Sequence, residues 1–204
     1  GFTPESSANL FYQSLVEPFQ QNKILNNQQL LSQFQQAEYL LKQFRSGSLS
    51  SEKVFDLDQW ATLFALSDVF GVRHGLVWHN LRFYLNPLTS LIEPIAFDSN
   101  PGEKITYLSL NAPPQDYELT SILKSPKFQE KYIQKLEEFS NPQYLSSFLK
   151  VIKQDLERFE KIINREKPYS SPTNTYYSNQ EFIKRKLTQT PALLAFTTQR
   201  NTME

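Results

Sequence analysis

The clearest pattern in this chain is an alternation of apolar and polar residues over positions 81–85, followed by a polar turn over 86–90. A second apolar run covers 91–97. Period-two alternation before the turn and an apolar run after it predict two strands, which can pair as an antiparallel hairpin. The second run contains Pro94, which has no backbone N–H to donate, so this strand is expected at a sheet edge or a bulge.

Two polar residues flank this predicted hairpin, Asn80 at its entrance and Asp98 at its exit. An antiparallel pairing brings both to the same open end. Magnesium prefers carboxylate and amide oxygens and keeps part of its shell for waters and phosphates, so this pair is a candidate metal site. Within the hairpin, Arg82 is expected either to form a cross-strand pair with Glu93, which is the favoured alternative, or to meet a phosphate.

Apolar residues at helical spacing predict a helix that runs from about Leu30 to Phe44, with Gly47 as its stop. Asp56 or Asp58 is expected to cap a second helix whose Trp60 and Phe64 belong to the core. This helix leads toward the hairpin.

Two Pro-containing pairs, Ser125-Pro126 and Asn141-Pro142, predict the starts of two further helices. The second of these helices carries a long apolar stripe, formed by Tyr144, Leu145, Phe148, Leu149, Ile152, Leu156, Phe159 and Ile163. Residues 166–178 are rich in Pro, Ser, Thr and Tyr and predict a loop, followed by a short helix around Glu181 to Leu187.

Length and composition favour a single domain over residues 1–204 with a substantial core, since 39% of the residues are hydrophobic and 14% aromatic. Lys plus Arg equals Asp plus Glu at 21 each, which argues against a nucleic-acid partner. The chain has no Cys, which excludes disulfides and thiolate metal sites. No apolar run approaches the roughly 20 residues of a membrane span.

Four blocks of sequence occur in an order that resembles the CotH family of bacterial atypical kinase-like proteins, over about residues 35 to 105. They are Phe55-Asp56-Leu57-Asp58, Leu66-Ser67-Asp68-Val69-Phe70-Gly71, Trp78-His79-Asn80-Leu81-Arg82-Phe83-Tyr84 and Leu91-Ile92-Glu93-Pro94-Ile95-Ala96-Phe97-Asp98. The resemblance implies an α+β, predominantly helical, kinase-like C-terminal lobe with a small β-hairpin at the nucleotide edge.

The resemblance further implies phosphoryl transfer from ATP, with Mg²⁺ or Mn²⁺, to the side chains of a protein substrate in a spore coat or cell envelope. The location it implies is extracytoplasmic or secreted. Asp98 resembles the metal-binding Asp of the family, and Asn80 resembles the Asn of its His-Asn block. Both are therefore expected to bind the metal and the nucleotide.

The catalytic base has two candidates, because this chain lacks the Asp that many family members carry shortly before the His-Asn block. His74 is nearest to that position, and a neutral imidazole is a suitable proton acceptor. Asp68 lies a turn or two upstream, where it could instead cap a turn or accept backbone donors.

The chain has only 5 Gly and neither a Gly-rich phosphate-binding pattern nor an evident Lys that would reach the phosphates. We therefore expect an excised C-terminal lobe whose parent chain supplies the N-terminal lobe. The alternative is a non-catalytic kinase-like binding module of a larger cell-envelope protein. A helical scaffold with accidental resemblance is a third possibility.

Overall fold

The computed structural model describes residues 14–112 and 120–189, and it is mostly helical with one small sheet. The helices are α1 Gln21–Leu25, α2 Gln28–Arg45, α3 Ser51–Val54, α4 Leu57–Phe70, α5 Thr120–Leu123, α6 Pro126–Phe139, α7 Pro142–Ile163 and α8 Thr173–Gln189. The strands are β1 Arg82–Leu85 and β2 Ile92–Ile95, and 3-10 turns cover His74–Leu76, Trp78–Asn80 and Ser109–Asn111. A predominantly helical α+β class is thereby confirmed.

Helix α4 is the central element, and it packs against α6 and α8. It begins after Asp56, whose side chain accepts hydrogen bonds from the backbone N–H groups of Asp58 and Gln59, so of the two predicted caps Asp56 is the one used. It ends at Gly71, which adopts the left-handed conformation with φ of 61°. Eight of its 14 residues are buried, which fixes both of its ends within the fold.

Trp60 joins this central helix to the hairpin. Its ring is fully buried and packs edge-on against Phe55, and its indole N–H donates to the backbone carbonyl of Ile92 in β2 over 3.0 Å. Phe64, one turn further along α4, is buried as well. The predicted core positions of Trp60 and Phe64 are confirmed, and the indole N–H has the partner that a buried indole requires.

The predicted hairpin is confirmed as an antiparallel pair of strands, in which Tyr84 faces Glu93 and Arg82 faces Ile95. The predicted pair between Arg82 and Glu93 is therefore wrong. The register puts Glu93 opposite Tyr84, and its carboxylate accepts a hydrogen bond from the side chain of Asn86 at the turn. Arg82 instead donates to the backbone carbonyls of His79 and Leu81.

The predicted helix starts are also confirmed, since Ser125 and Asn141 cap α6 and α7 through their side-chain oxygens and Pro follows each cap. Helix α2 ends at Arg45, and Gly47 lies just beyond it with φ of 74°. In the described part of the chain, no helix is both long and apolar enough to cross a membrane.

The predicted loop over 166–178 is only partly correct, because α8 already begins at Thr173. The side chains of Tyr176, Asn179 and Gln180 are buried. The Asn179 amide donates to the carbonyls of Val69 and Glu103, and it accepts from the N–H of Ile105. These tertiary contacts outweigh the weak helix propensity of Thr, Asn and Tyr, from which the loop was predicted.

Candidate functional site

Three polar side chains meet at the open end of the hairpin, where His74 and Asn80 both approach Asp98. The Nε2 atom of His74 lies 3.2 Å from Oδ2 of Asp98, and the Nδ2 atom of Asn80 lies 3.4 Å from the same oxygen. The predicted convergence of Asn80 and Asp98 is thus confirmed. His74 joins them, which makes one carboxylate held by two nitrogen donors.

The C-terminal end of α4 positions both sides of this site. After Gly71, the chain passes through two 3-10 turns that carry His74 and Asn80. On the other side of the site, the N–H of Gly102 donates to the carbonyl of Phe70, and the N–H of Glu103 donates to that of Gly71. The segments before β1 and after β2 are therefore anchored to the same helix end.

Asp98 itself has an uncommon backbone conformation, with φ of 48° in the left-handed region. Asp tolerates this region better than most residues, although it is less favourable there than Gly. Gly75 packs closely beside it, since a Cβ atom at that position would lie 3.0 Å from Oγ of Ser99 and 3.1 Å from the carbonyl oxygen of Phe97. The site thus combines a backbone bend with a close approach that a side chain would disturb.

His74 and Asp98 are accessible to solvent, with side chains 44% and 49% exposed. A neutral imidazole that donates from Nε2 to the carboxylate has Nδ1 as its proton acceptor. A carboxylate partner of this kind fixes the tautomer and the ring orientation of a histidine, which is the arrangement found where His acts as a base. The pair is therefore chemically suited to accept a proton from a hydroxyl group.

Asn80 is largely buried, and its amide nitrogen also donates to the backbone carbonyl of His74 over 2.9 Å. A carbonyl oxygen only accepts hydrogen bonds, so the atom of the Asn80 amide that faces the carbonyl of His74 is the nitrogen Nδ2. Asn80 therefore supports Asp98 as a hydrogen-bond donor in this arrangement. Its Oδ1 atom would turn toward a shared metal only if the amide rotated and gave up the bond to His74.

Asp68, the other base candidate, is fully buried and lies in a separate network. Its carboxylate accepts hydrogen bonds from the N–H and Oγ of Ser109, at 3.0 and 2.7 Å, and from the hydroxyl of Tyr132. Burial raises the pKa of Asp68, while the hydrogen bonds from Tyr132 and Ser109 and the positive charge of Arg73 oppose that rise. These contacts favour the structural alternative, in which Asp68 accepts donors within the core.

Two arginines near the site have aromatic partners that the sequence pattern did not indicate. The guanidinium of Arg82 lies 4.3 Å from the centre of the Phe97 ring, and that of Arg73 lies 3.8 Å from the centre of the Tyr107 ring. Each guanidinium is thus held against an aromatic ring by a cation–π contact. Adjacency to His74 and Asp98 in the sequence was the only signal that could have singled out Arg73 and Phe97.

A magnesium ion fits the carboxylate of Asp98, which is exposed and has oxygens of the hard type that this ion prefers. Within residues 14–112 and 120–189, no three His, Cys, Asp or Glu side chains group closely enough to hold a metal ion. Such a site would have to take its remaining ligands from amide oxygens, waters and phosphates. This is the usual manner of magnesium binding with nucleotides.

Comparison of the chain with protein-family models, with curated proteins and with solved structures gave no match.

Proposed function

We propose that this chain is the C-terminal lobe of a CotH-like protein kinase, in which it binds ATP with Mg²⁺ or Mn²⁺ and transfers a phosphoryl group to a protein side chain. The single observation that supports this best is the meeting of His74, Asn80 and Asp98 at the open end of the hairpin. A hairpin with a purely structural role does not require an accessible carboxylate there, held by two donors.

In the proposed reaction, Asp98 has two tasks, one for each of its oxygens. Its Oδ2 atom accepts hydrogen bonds from His74 and Asn80. Oδ1 would hold the magnesium ion, which when bound neutralises charge on the phosphates of the nucleotide. Asn80 keeps the carboxylate in place, because its amide is also fixed by the carbonyl of His74.

His74 is the proposed general base. The acceptor hydroxyl gives its proton to Nδ1 of His74 as its oxygen forms a bond to the γ-phosphorus. The bond from that phosphorus to the β,γ-bridging oxygen breaks, and ADP leaves. Half exposure of the His74 side chain gives a protein substrate access to it.

The phosphate cover and the cationic Lys of a kinase are proposed to come from residues upstream in the parent chain. The protein substrate is proposed to belong to a cell envelope or coat, and the location is proposed to be extracytoplasmic. These parts of the proposal follow from the family resemblance. They are tested by the identity of the phosphorylated protein.

The decisive experiment is a thermal-shift titration with ATP and Mg²⁺ or Mn²⁺, carried out on this chain and on a form extended upstream. Ligand at about a hundred times its dissociation constant adds roughly 2.7 kcal/mol to stability. We expect a metal-dependent shift in the extended form that Asp98→Ala removes. His74→Gln should retain the shift but lose phosphoryl transfer, because it removes the base and not the metal ligand.

Asp58→Ala is a matched control, since Asp58 is exposed to a similar extent but pairs with Lys131 and Lys135 on another surface. It should leave the nucleotide shift unchanged. Absence of any shift in a folded, extended protein would contradict the kinase proposal. That result would favour a non-catalytic, kinase-like binding module.

A further inference from the structure

Helix α7 has an exposed side with apolar residues on it, and of these Phe148 also contacts the Phe70 ring of α4 edge-on, with 5.5 Å between the ring centres. The helix has 22 residues, which corresponds to a length of about 33 Å, yet Leu145 is its only fully buried residue. Val151 is 83% exposed, and Phe148 and Ile162 are exposed as well. Apolar and charged side chains thus share this exposed side of the helix.

The exposed side has the residue spacing of a coiled-coil seam, alternating steps of three and four residues. We call these six exposed positions the α7 seam: Phe148, Val151, Asp155, Arg158, Ile162 and Arg165. Arg165 lies just beyond the helix, and its N–H donates to the carbonyl of Ile162, which continues the helical turn. Such spacing keeps one narrow stripe of a helix against a partner helix.

When two copies of the α7 seam run in opposite directions, each residue faces one with which it can pair favourably. If a second copy runs antiparallel about a two-fold axis between Leu156 and Glu157, Val151 faces Ile162 of the second copy. Asp155 then faces Arg158, and the symmetry makes this ion pair twice. At each end, the Phe148 ring meets the Arg165 guanidinium, a favourable cation–π contact.

The charges of the α7 seam are available for such pairing. Within the described residues, neither Asp155 nor Arg158 takes part in an ion pair. A parallel arrangement would instead face Asp155 with Asp155 and Arg158 with Arg158. Like charges in contact disfavour association, so the charges select the antiparallel arrangement.

We propose that α7 binds α7 of a second copy of this chain in an antiparallel, two-fold symmetric pair through the α7 seam. This inference is independent of the proposed kinase activity. A contact made by one helix from each copy is smaller than the roughly 800 Å² per partner of a standard interface. The dimer is therefore weak and reversible, and it responds to protein concentration.

Sedimentation velocity over micromolar to millimolar concentrations of the 204-residue chain tests the proposal. The wild type should dimerise with increasing concentration. Asp155→Arg and Arg158→Asp should each weaken self-association by about tenfold or more, because each places like charges together. An equimolar mixture of the two variants should associate again, since every central pair is then Arg against Asp.

Two control substitutions on the opposite side of α7 change the charge by the same amount as the two seam variants. Lys150→Glu matches Arg158→Asp, and Glu157→Lys matches Asp155→Arg; both should dimerise like the wild type. Circular dichroism verifies that each variant keeps its helix content. A wild type that stays monomeric at millimolar concentration, or a mixture of the two seam variants that does not associate, would overturn the proposal.

Discussion

At the scale of single residues, this chain holds two carboxylates, Asp98 and Asp68, in opposite surroundings. Asp98 is half exposed, and its carboxylate accepts hydrogen bonds from His74 and Asn80 at the edge of the fold. Asp68 is fully buried, and burial raises its pKa. The first has the access that chemistry requires, whereas the second has the hydrogen-bond partners that a core position requires.

Replacement of Asp68 distinguishes its structural role from a catalytic one. Asp68→Ala should lower the free energy of unfolding by about 2–4 kcal/mol at neutral pH, because the donors of Ser109 and Tyr132 lose their buried acceptor. Asp68→Asn should cost much less, since its amide oxygen can accept and its NH₂ can donate to the Ser109 hydroxyl. Urea denaturation measures both. Equal losses in the two variants would contradict this role.

The pH dependence of stability should also reflect Asp68. Because its pKa is higher in the folded protein, the folded state binds the proton more tightly than the unfolded state. This contribution is complete below the ordinary value of 3.8 and is lost as the pH rises through the raised pKa. Relative to Asp68→Asn, the wild type should therefore lose stability over that interval. Parallel stability curves for the two proteins would show that Asp68 has no such effect.

At the scale of elements, α8 forms hydrogen bonds to segments that are distant from it in the sequence. Asn179 binds the backbone of α4 and of residues 103–105, and the neighbouring Gln180 donates to the carbonyls of Phe139 and Asn141 at the junction of α6 and α7. Both side chains are buried. The segment that leaves the candidate site is thus fixed by a helix close to the end of the described residues.

Asn179→Ala should therefore lower the free energy of unfolding by about 2–4 kcal/mol, because it leaves the N–H of Ile105 and two carbonyls without partners. Asn174→Ala, at an exposed position in the first turn of the same helix, should change the free energy of unfolding by no more than about 0.5 kcal/mol. Chemical denaturation of the two variants provides the measurement. A small effect at Asn179 would mean that α8 is held by its apolar contacts alone.

At the scale of the whole molecule, the helices differ in how much of their surface is buried. Helix α4 is surrounded by α6, α8 and the hairpin, whereas most of α7 extends along the surface. Local stability follows buried contacts and protected hydrogen bonds. The molecule therefore has a stable centre around α4 and a less stable edge in the second half of α7.

Hydrogen exchange tests this gradient directly. Amides of α4 should exchange most slowly, and those of the second half of α7 should be among the fastest of the helical amides, because few tertiary contacts oppose their opening. If α7 pairs with a second copy, protection of residues 151–162 should rise with protein concentration while that of α4 stays unchanged. Uniform exchange across the two helices would contradict the gradient.

Much of the local structure was predictable because short-range rules govern it. The Ser125 and Asn141 caps, the α2 pattern and the strand alternation each depend on residues a few positions apart. The prediction of a loop over 166–178 was partly incorrect for the opposite reason. Helix formation from Thr173 depends on buried contacts of Asn179 with residues far away in the chain.

The hairpin and the meeting of Asn80 with Asp98 could be predicted from local pattern alone, because strand periodicity and a turn fix which residues reach the open end of the hairpin. That His74 joins them and that Asp68 belongs to the core became evident from the three-dimensional fold. The partners of Asp68 are 41 and 64 positions away. Contacts over such separations depend on how the helices pack against one another, and local periodicity carries no information about them.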